Sequence, residues 1–120
     1  MSPGIHNKEL GGEGERLARD HLKSLGMEIV EMNYRYHHGE IDIIARDGET
    51  LVFCEVKSRL NDEFGEPEFA LTPGKQQQIR RMAEAYLYER RIQEQECRFD
   101  VVTVRFMVRP PAINHIRNAF

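Results

Sequence analysis

One hairpin signal constrains this chain more than any other feature of its sequence. Residues 40–46 and 50–59 alternate apolar and polar side chains on either side of Asp47-Gly48-Glu49. A period of two is typical of strands, and glycine readily adopts the positive φ that a tight turn requires. The pattern therefore predicts two antiparallel strands with one apolar face that packs against a helix. That face carries Ile41, Ile43, Ala45, Val52, Cys54 and Val56.

The other face of the predicted hairpin carries charge. Any even-length loop around Gly48 places Asp42 on the same face as Glu55, directly opposite or one diagonal step away, and Lys57 shares that face. Two carboxylates about 4 Å apart repel by roughly 4 kcal/mol at an effective dielectric constant near 20, a cost that a divalent cation or the ammonium group could offset. Oxygen ligands favour Mg²⁺ or Mn²⁺ over zinc. Taken alone, the trio better fits an ordinary ion pair on an exposed sheet face.

Two helices are predicted from apolar residues at helical spacing. The first covers 9–25 and ends at Gly26. The second has Thr72 as its cap and Pro73 at its first position, and it extends to about Gln95.

Further strands are predicted over 28–36 and 98–107, and residues 60–72 form an exposed loop. Pro110-Pro111 end regular structure before a short tail. The resulting order, α-β-β-β-α-β, predicts an α/β fold with a mixed central sheet flanked by helices.

Length and composition bound the class of protein. A chain of 120 residues leaves room for one compact domain, and 40% hydrophobic residues can fill its core. No apolar run approaches the roughly 18 residues of a membrane span, and the first ten residues are too polar for a signal peptide. Two cysteines, Cys54 and Cys97, make neither a disulfide framework nor a zinc site. We expect one cytoplasmic domain over 1–120 with a core over about 9–107, a flexible N-terminus and a C-terminal tail, and no membrane partner.

Charge is segregated along the chain. The net charge of −3 excludes nucleic-acid binding by bulk basicity alone. Residues 40–68 carry nine acidic residues against three basic ones, whereas 73–92 and 98–120 each have a net charge of +3. These blocks fit either solvated faces or a cation site beside a phosphate-facing surface, and composition alone favours solvated faces.

Three residues outside the hairpin are further candidates. Glu15 lies on the inward flank of the first helix, three residues before Ala18. Lys75 and Gln76 lie in the first turn of the second helix, where free N–H groups and the helix dipole favour a phosphate. All three also fit ordinary solvent-facing side chains.

Other reactive or aromatic residues fit structural roles. His37 and His38 are predicted in a turn rather than in a metal site, because neighbouring side chains point apart on extended backbone. Asp100 opens a strand and fits a hydrogen-bonded structural role, while Tyr86 falls on the buried stripe of the second helix.

Six pieces of the sequence carry a resemblance. They are Gly11-x-x-x-Glu15-x-x-Ala18, Asn33-Tyr34-Arg35, Gly39-Glu40-Ile41-Asp42-Ile43-Ile44-Ala45, Phe53-Cys54-Glu55-Val56-Lys57-Ser58-Arg59, Thr72-Pro73-x-Lys75-Gln76 and Arg98-Phe99-Asp100-Val101. Together they look like the YraN-like family of small bacterial proteins over roughly residues 9–107. That family belongs to the PD-(D/E)XK nuclease superfamily and is similar to archaeal Holliday-junction resolvases. The resemblance implies a restriction-endonuclease-like αβββαβ core and a magnesium-dependent nuclease site.

The resemblance also implies roles for individual residues. Asp42 stands for the aspartate of the motif, Glu55 for the second acid and Lys57 for the lysine, while Ile41 replaces the motif proline. Glu15 stands for the acid of the first helix. Gln76 stands for the polar residue of the second helix.

The mechanism expected from these roles is hydrolysis of a DNA phosphodiester, with branched or junction DNA as one substrate. Asp42, Glu55 and the Val56 carbonyl would hold Mg²⁺, with Mn²⁺ as a substitute, and Glu15 would complete the site directly or through water. Lys57 would orient the attacking water. Backbone phosphates would be positioned by Lys75, Gln76, Arg35, Arg59, Arg80 and Arg81.

Two functions of other classes stay open. One is a non-catalytic nucleic-acid-binding or accessory protein in DNA processing. The other is a protein-interaction domain that uses the 60–72 loop and Pro110-Pro111. Junction resolution would additionally require a homodimer, and the sequence does not identify one.

Overall fold

The computed structural model describes residues 7–60 and 71–120. Two helices and five strands follow one another as α1 (Asn7–Ser24), β1 (Glu28–Tyr36), β2 (Gly39–Asp47), β3 (Thr50–Arg59), α2 (Pro73–Glu89), β4 (Cys97–Arg105) and β5 (Ala112–Ile116). The strands form one sheet in the order β1-β2-β3-β4-β5, in which only the β3–β4 pair is parallel. The predicted mixed α/β fold is confirmed, and its αβββαββ arrangement is consistent with a restriction-endonuclease-like core.

The hairpin around Gly48 forms as predicted. Asp47 pairs with Thr50, so the turn contains only Gly48 and Glu49, and Gly48 adopts a φ of 63°. The ladder continues to the pair Ile43 and Cys54, which fixes the register of β2 against β3.

Both faces of the sheet are buried, which corrects the prediction of a single apolar hairpin face. The α1-side core contains Ala18, Leu22, Met27, Ile43, Ala45, Val52, Cys54, Val102 and Val104. The α2-side core contains Tyr34, Ile41, Ile44, Leu51, Phe53, Ile79, Met82, Ala83 and Tyr86. Each large apolar side chain that is fully buried contributes about 1.5–3 kcal/mol. The prediction that Ile41 shares a face with Ile43 is wrong, because the side chains of β2 switch to the other side of the sheet between these two residues.

The helix boundaries follow local chemistry. At the C-terminal end of α1, Gly26 adopts a φ of 92° and ends the helix as predicted. At the start of α2, the Thr72 side chain accepts a hydrogen bond from the Lys75 N–H at 3.1 Å. The helix ends at Glu89, earlier than the predicted Gln95, because Arg91 has left the helical region with a φ of 57°.

The short tail predicted after Pro110-Pro111 is wrong, because the chain returns as β5 and pairs antiparallel with β4. Asp100 holds this return segment. Its carboxylate lies 2.8 Å from His115 Nε2 and accepts hydrogen bonds from Arg98 Nε at 2.9 Å and from the Asn118 N–H at 3.0 Å. Burial alone would raise the pKa of Asp100, but these hydrogen bonds lower it below its usual value. The predicted structural role of Asp100 is therefore confirmed.

Most of the loop predicted over 60–72 lies outside the described residues. Among the residues that are described, neither helix is long and apolar enough to cross a bilayer.

Candidate active site

Strands β2 and β3 part beyond the pair Ile43 and Cys54. From there, β2 stays paired with β1 as far as Gly39, and β3 stays paired with β4 as far as Arg59. We call the opening between residues 39–42 and 55–59 the fork. The Val56 N–H would bond to the β2 backbone if the ladder continued, and it instead donates to Asp42 Oδ2 at 2.8 Å. The Asp42 carboxylate thus satisfies a backbone donor that the parting strands leave without its ladder partner.

The inward-facing side chains of β1 and β2 switch from one side of the sheet to the other, and both strands do so at the same place. Met32 is opposite Ile43 on the α1 side, whereas Tyr34 is opposite Ile41 on the α2 side. Residues two apart on a regular strand share a face, so both strands must turn over between these pairs. Asn33 makes the turn possible with a φ of 54°, a conformation that asparagine tolerates better than most residues.

Three carboxylates converge at the fork. Glu15 of α1, Glu40 and Asp42 each place one carboxylate oxygen within 4.8 Å of the others. The Asn33 side-chain amide donates to Glu15 at 2.7 Å and to Glu40 at 3.2 Å, and Arg35 Nε donates to Glu40 at 2.9 Å. Residues far apart in sequence are therefore held together by explicit hydrogen bonds.

Close packing of α1 brings Glu15 to this position. A Cβ atom at Gly14 would overlap the Ser58 Oγ and lie 3.3 Å from the Ser58 Cβ. A larger residue at position 14 would require Ser58 to turn aside or the helix to move away from β3. Glu15 is the next residue along the helix.

Electrostatics at the fork oppose the fully ionised state. Burial, followed by the neighbouring charge of Glu55, raises the pKa of Asp42 to about 9, although the Val56 N–H bond acts in the opposite direction. Glu15 adds a smaller effect of the same sign as Glu55. The arrangement concentrates more negative charge than its surroundings stabilise, which is the condition under which a bound cation is favoured.

Glu55 connects the fork to α2. Its side chain is 13% exposed, and its Oε2 lies 3.5 Å from the Lys75 ammonium group. Glu55 also acts on Asp42 through a side-chain hydrogen bond. The backbone carbonyl of Val56 points to the same side of β3 as its N–H, as in any strand residue, and so faces the fork.

The fork therefore gathers the three acids named from the sequence, together with one that sequence reasoning missed. Glu15, Asp42, Glu55 and the Val56 backbone lie around it, but the three-carboxylate group contains Glu40 and not Glu55. Glu40 lies two residues before Asp42, and strand alternation places residues at this spacing on the same face. That spacing is the signal that could have identified Glu40.

The basic candidates are distributed differently. Lys57 lies two residues after Glu55 on β3, opposite Thr103, and Arg59 ends that strand. The Gln76 amide donates to the Leu71 carbonyl at 3.1 Å. Arg80 does not lie at the fork, because its guanidinium packs over the rings of Phe99 at 4.8 Å and Phe120 at 5.4 Å.

His37 and His38 form the predicted turn between β1 and β2, and Tyr86 is buried in the α2-side core as predicted. Arg81, a predicted phosphate contact, lies exposed on α2.

The fold and the acidic fork define an α/β protein with a restriction-endonuclease-like arrangement of helices and strands. The chain belongs to the uncharacterised protein family UPF0102, whose family model matches residues 14–104. The YraN-like resemblance is thereby confirmed.

Bacterial relatives match nearly the full chain. A UPF0102 protein of Geobacter metallireducens is 46% identical over 116 residues, which cover 97% of this chain and 95% of the relative. One from Geotalea daltonii is 48% identical over 118 residues, covering 95% and 91% respectively. One from Chlorobium chlorochromatii is 46% identical and covers 100% of this chain and 97% of its own length.

Proposed function

We propose that this protein is a metal-dependent endonuclease that hydrolyses phosphodiester bonds in DNA. The observation that carries the proposal is the convergence of Glu15 of α1 with Glu40 and Asp42 of β2 at one opening of the sheet, where Glu55 of β3 also interacts with Asp42. A purely structural surface has no need to bring acids from a helix and two strands together. The superfamily resemblance points to the same chemistry.

A hard divalent cation fits the residues at the fork. The group within 4.8 Å consists of carboxylates alone, and oxygen donors are the ligands preferred by Mg²⁺ and Mn²⁺. Asp42, Glu55 and the Val56 carbonyl would hold the ion, with Glu15 directly or through water and Glu40 beside it. When bound, such an ion supplies stabilisation of the charge that develops on the phosphoryl oxygens.

The remaining roles belong to nitrogen groups of this chain. Lys57 would orient the attacking water and stabilise the growing negative charge, a role suited to a point-charge ammonium group. Lys75 and Gln76, in the first turn of α2, would position the phosphate with their side chains. Arg35, Arg59 and Arg81 would contact neighbouring phosphates.

The test is a panel of labelled linear, flapped and four-way-junction DNA incubated with Mg²⁺ or Mn²⁺. The wild-type protein should cleave at least one substrate, and EDTA should stop cleavage. Asp42→Asn and Glu55→Gln should each reduce the rate at least a hundredfold, because each removes one charged ligand. Glu49→Gln is the matched control, since Glu49 lies in the turn at the opposite end of the hairpin.

Equal rates in Asp42→Asn and the control would refute the assignment of the site. DNA binding that persists in EDTA, without cleavage of any substrate, would favour the non-catalytic nucleic-acid-binding function instead.

A further inference from the structure

A groove of about 330 Å³ lies between the β1–β2 turn and helix α2, beside the fork. The turn contributes Tyr36, His37 and Gly39, and the helix contributes Gln78, Arg81 and Met82. Its volume lies near the lower end of the roughly 300–1,000 Å³ typical of small-molecule sites, a size suited to one flat ring system.

The groove has defined walls. Gly39 rests against the helix, because a Cβ atom there would overlap the Met82 Sδ and lie 3.3 Å from the Gln78 Nε2. Tyr36 pairs with Gly39 across the turn and is 40% exposed. The His37 ring packs edge-on against the Tyr36 ring, with 4.3 Å between centroids.

This groove lies beside the acidic fork along helix α2. Lys75, whose ammonium group lies 3.5 Å from Glu55 at the fork, is three residues before Gln78, so the two side chains are neighbours on one face of the helix. Gly39 directly precedes Glu40, one of the three converging carboxylates. A polymer strand with one phosphate beside Lys75 therefore lies about one helical turn from the groove.

We propose that the groove binds one unpaired nucleobase of the DNA strand whose phosphodiester lies at the fork. The inference rests on the proposed function and names its substrate class: DNA with an unpaired nucleotide beside the cleaved bond. Tyr36 offers a stacking surface, Met82 an apolar wall and Gln78 an amide for the edge of the base. Arg81 offers charge for the flanking phosphate. A paired base cannot reach such a groove without leaving the stack.

A binding experiment without cleavage isolates this groove. We would titrate the protein, in EDTA, against a duplex with a single 2-aminopurine bulge and against the fully paired duplex. The bulged duplex should bind more tightly, with quenched 2-aminopurine fluorescence. Tyr36→Ala should weaken bulge binding about tenfold and leave the paired duplex unchanged, because it removes one stacking contact. Tyr88→Ala is the matched control, since Tyr88 is 87% exposed on α2 and does not line the groove.

A second variant keeps the test decisive if alanine at position 36 perturbs folding. The chain contains no tryptophan, so Tyr36→Trp introduces a single indole at the groove. Its emission should be quenched by the bulged duplex and not by the paired one.

The outcomes separate this inference from the proposed function. Equal affinity for both duplexes, or equal losses in Tyr36→Ala and Tyr88→Ala, would overturn the groove assignment even if Asp42-dependent cleavage is found. A bulge preference that depends on Tyr36 would support it even if no DNA is cleaved. Absence of DNA binding would overturn it.

Discussion

The stability of the metal-free protein should fall as the pH rises, and Asp42 should cause part of that fall. Burial and the charge of Glu55 raise the pKa of Asp42 from 3.8 to about 9 in the folded state. Between these values the folded protein binds a proton that the unfolded chain does not. The stabilisation from this proton is complete below about pH 4 and is lost as the pH rises toward 9.

The magnitude follows from linkage. One extra proton in the folded state changes the free energy of unfolding by at most about 1.4 kcal/mol per pH unit. Between pH 5 and pH 7 the wild type should therefore lose up to about 2.7 kcal/mol relative to Asp42→Asn, which carries no titratable group at this position. The corresponding change in the urea midpoint is at most roughly 1–3 M for a small domain.

Urea unfolding of both proteins in EDTA at pH 5, 6 and 7 measures this difference directly. Titrating groups away from the fork are shared by the two proteins, so their contributions cancel. At pH 8, 10 mM MgCl₂ should stabilise the wild type against an ionic-strength-matched NaCl control and leave Asp42→Asn unchanged. Parallel pH profiles for the two proteins would show that Asp42 holds no excess proton and would refute the electrostatic reasoning.

Two further predictions concern packing. Gly14→Ala should destabilise the protein by about 1–3 kcal/mol, because the new methyl group meets Ser58. Gly12→Ala should instead stabilise it by about 0.5–1 kcal/mol, because nothing lies within 4 Å of its new Cβ. Thermal unfolding compares the two variants, and equal effects would contradict the close approach of α1 to β3. Asp100→Asn should lower the free energy of unfolding by about 3–5 kcal/mol, because it weakens a buried ion pair. Amide hydrogen exchange should increase first in β5. Unchanged protection of β5 would argue against the role of Asp100.

Much of the fold was predictable because local signals agreed with tertiary packing. The turn at Gly48 fixed the pairing of two strands, and helix caps at Gly26 and Thr72 fixed two boundaries. Such features depend on a few neighbouring residues. They are readable whenever backbone conformation and hydrophobic period point to the same structure.

The errors share a different physical origin. The facing of Ile41 depends on the turn of the backbone at Asn33, on a neighbouring strand. Strand β5 contains only five residues and depends on Asp100, which anchors its His115. Both features are set by contacts between distant residues, so the spacing of side chains along one segment does not reveal them.

The candidate site was predictable in its chemistry but not in its full membership. Asp42 and Glu55 follow from hairpin register alone, and their interaction is present in the structure. Glu40 joins the group from the position two residues before Asp42, and its carboxylate is held by hydrogen bonds from Asn33 and Arg35 that the sequence does not show. The catalytic and metal-binding roles of these residues stay predictions.

The acidic cluster has two separate supports. Glu15 reaches its partners only while α1 lies close to Ser58, whereas Glu40 and Asp42 are held by the pairing of β2 with β1. A substitution that moves α1 away from Ser58 would therefore displace one acid of the fork and leave the other two in place. The proposed affinity for divalent ions would then fall while the sheet stays intact.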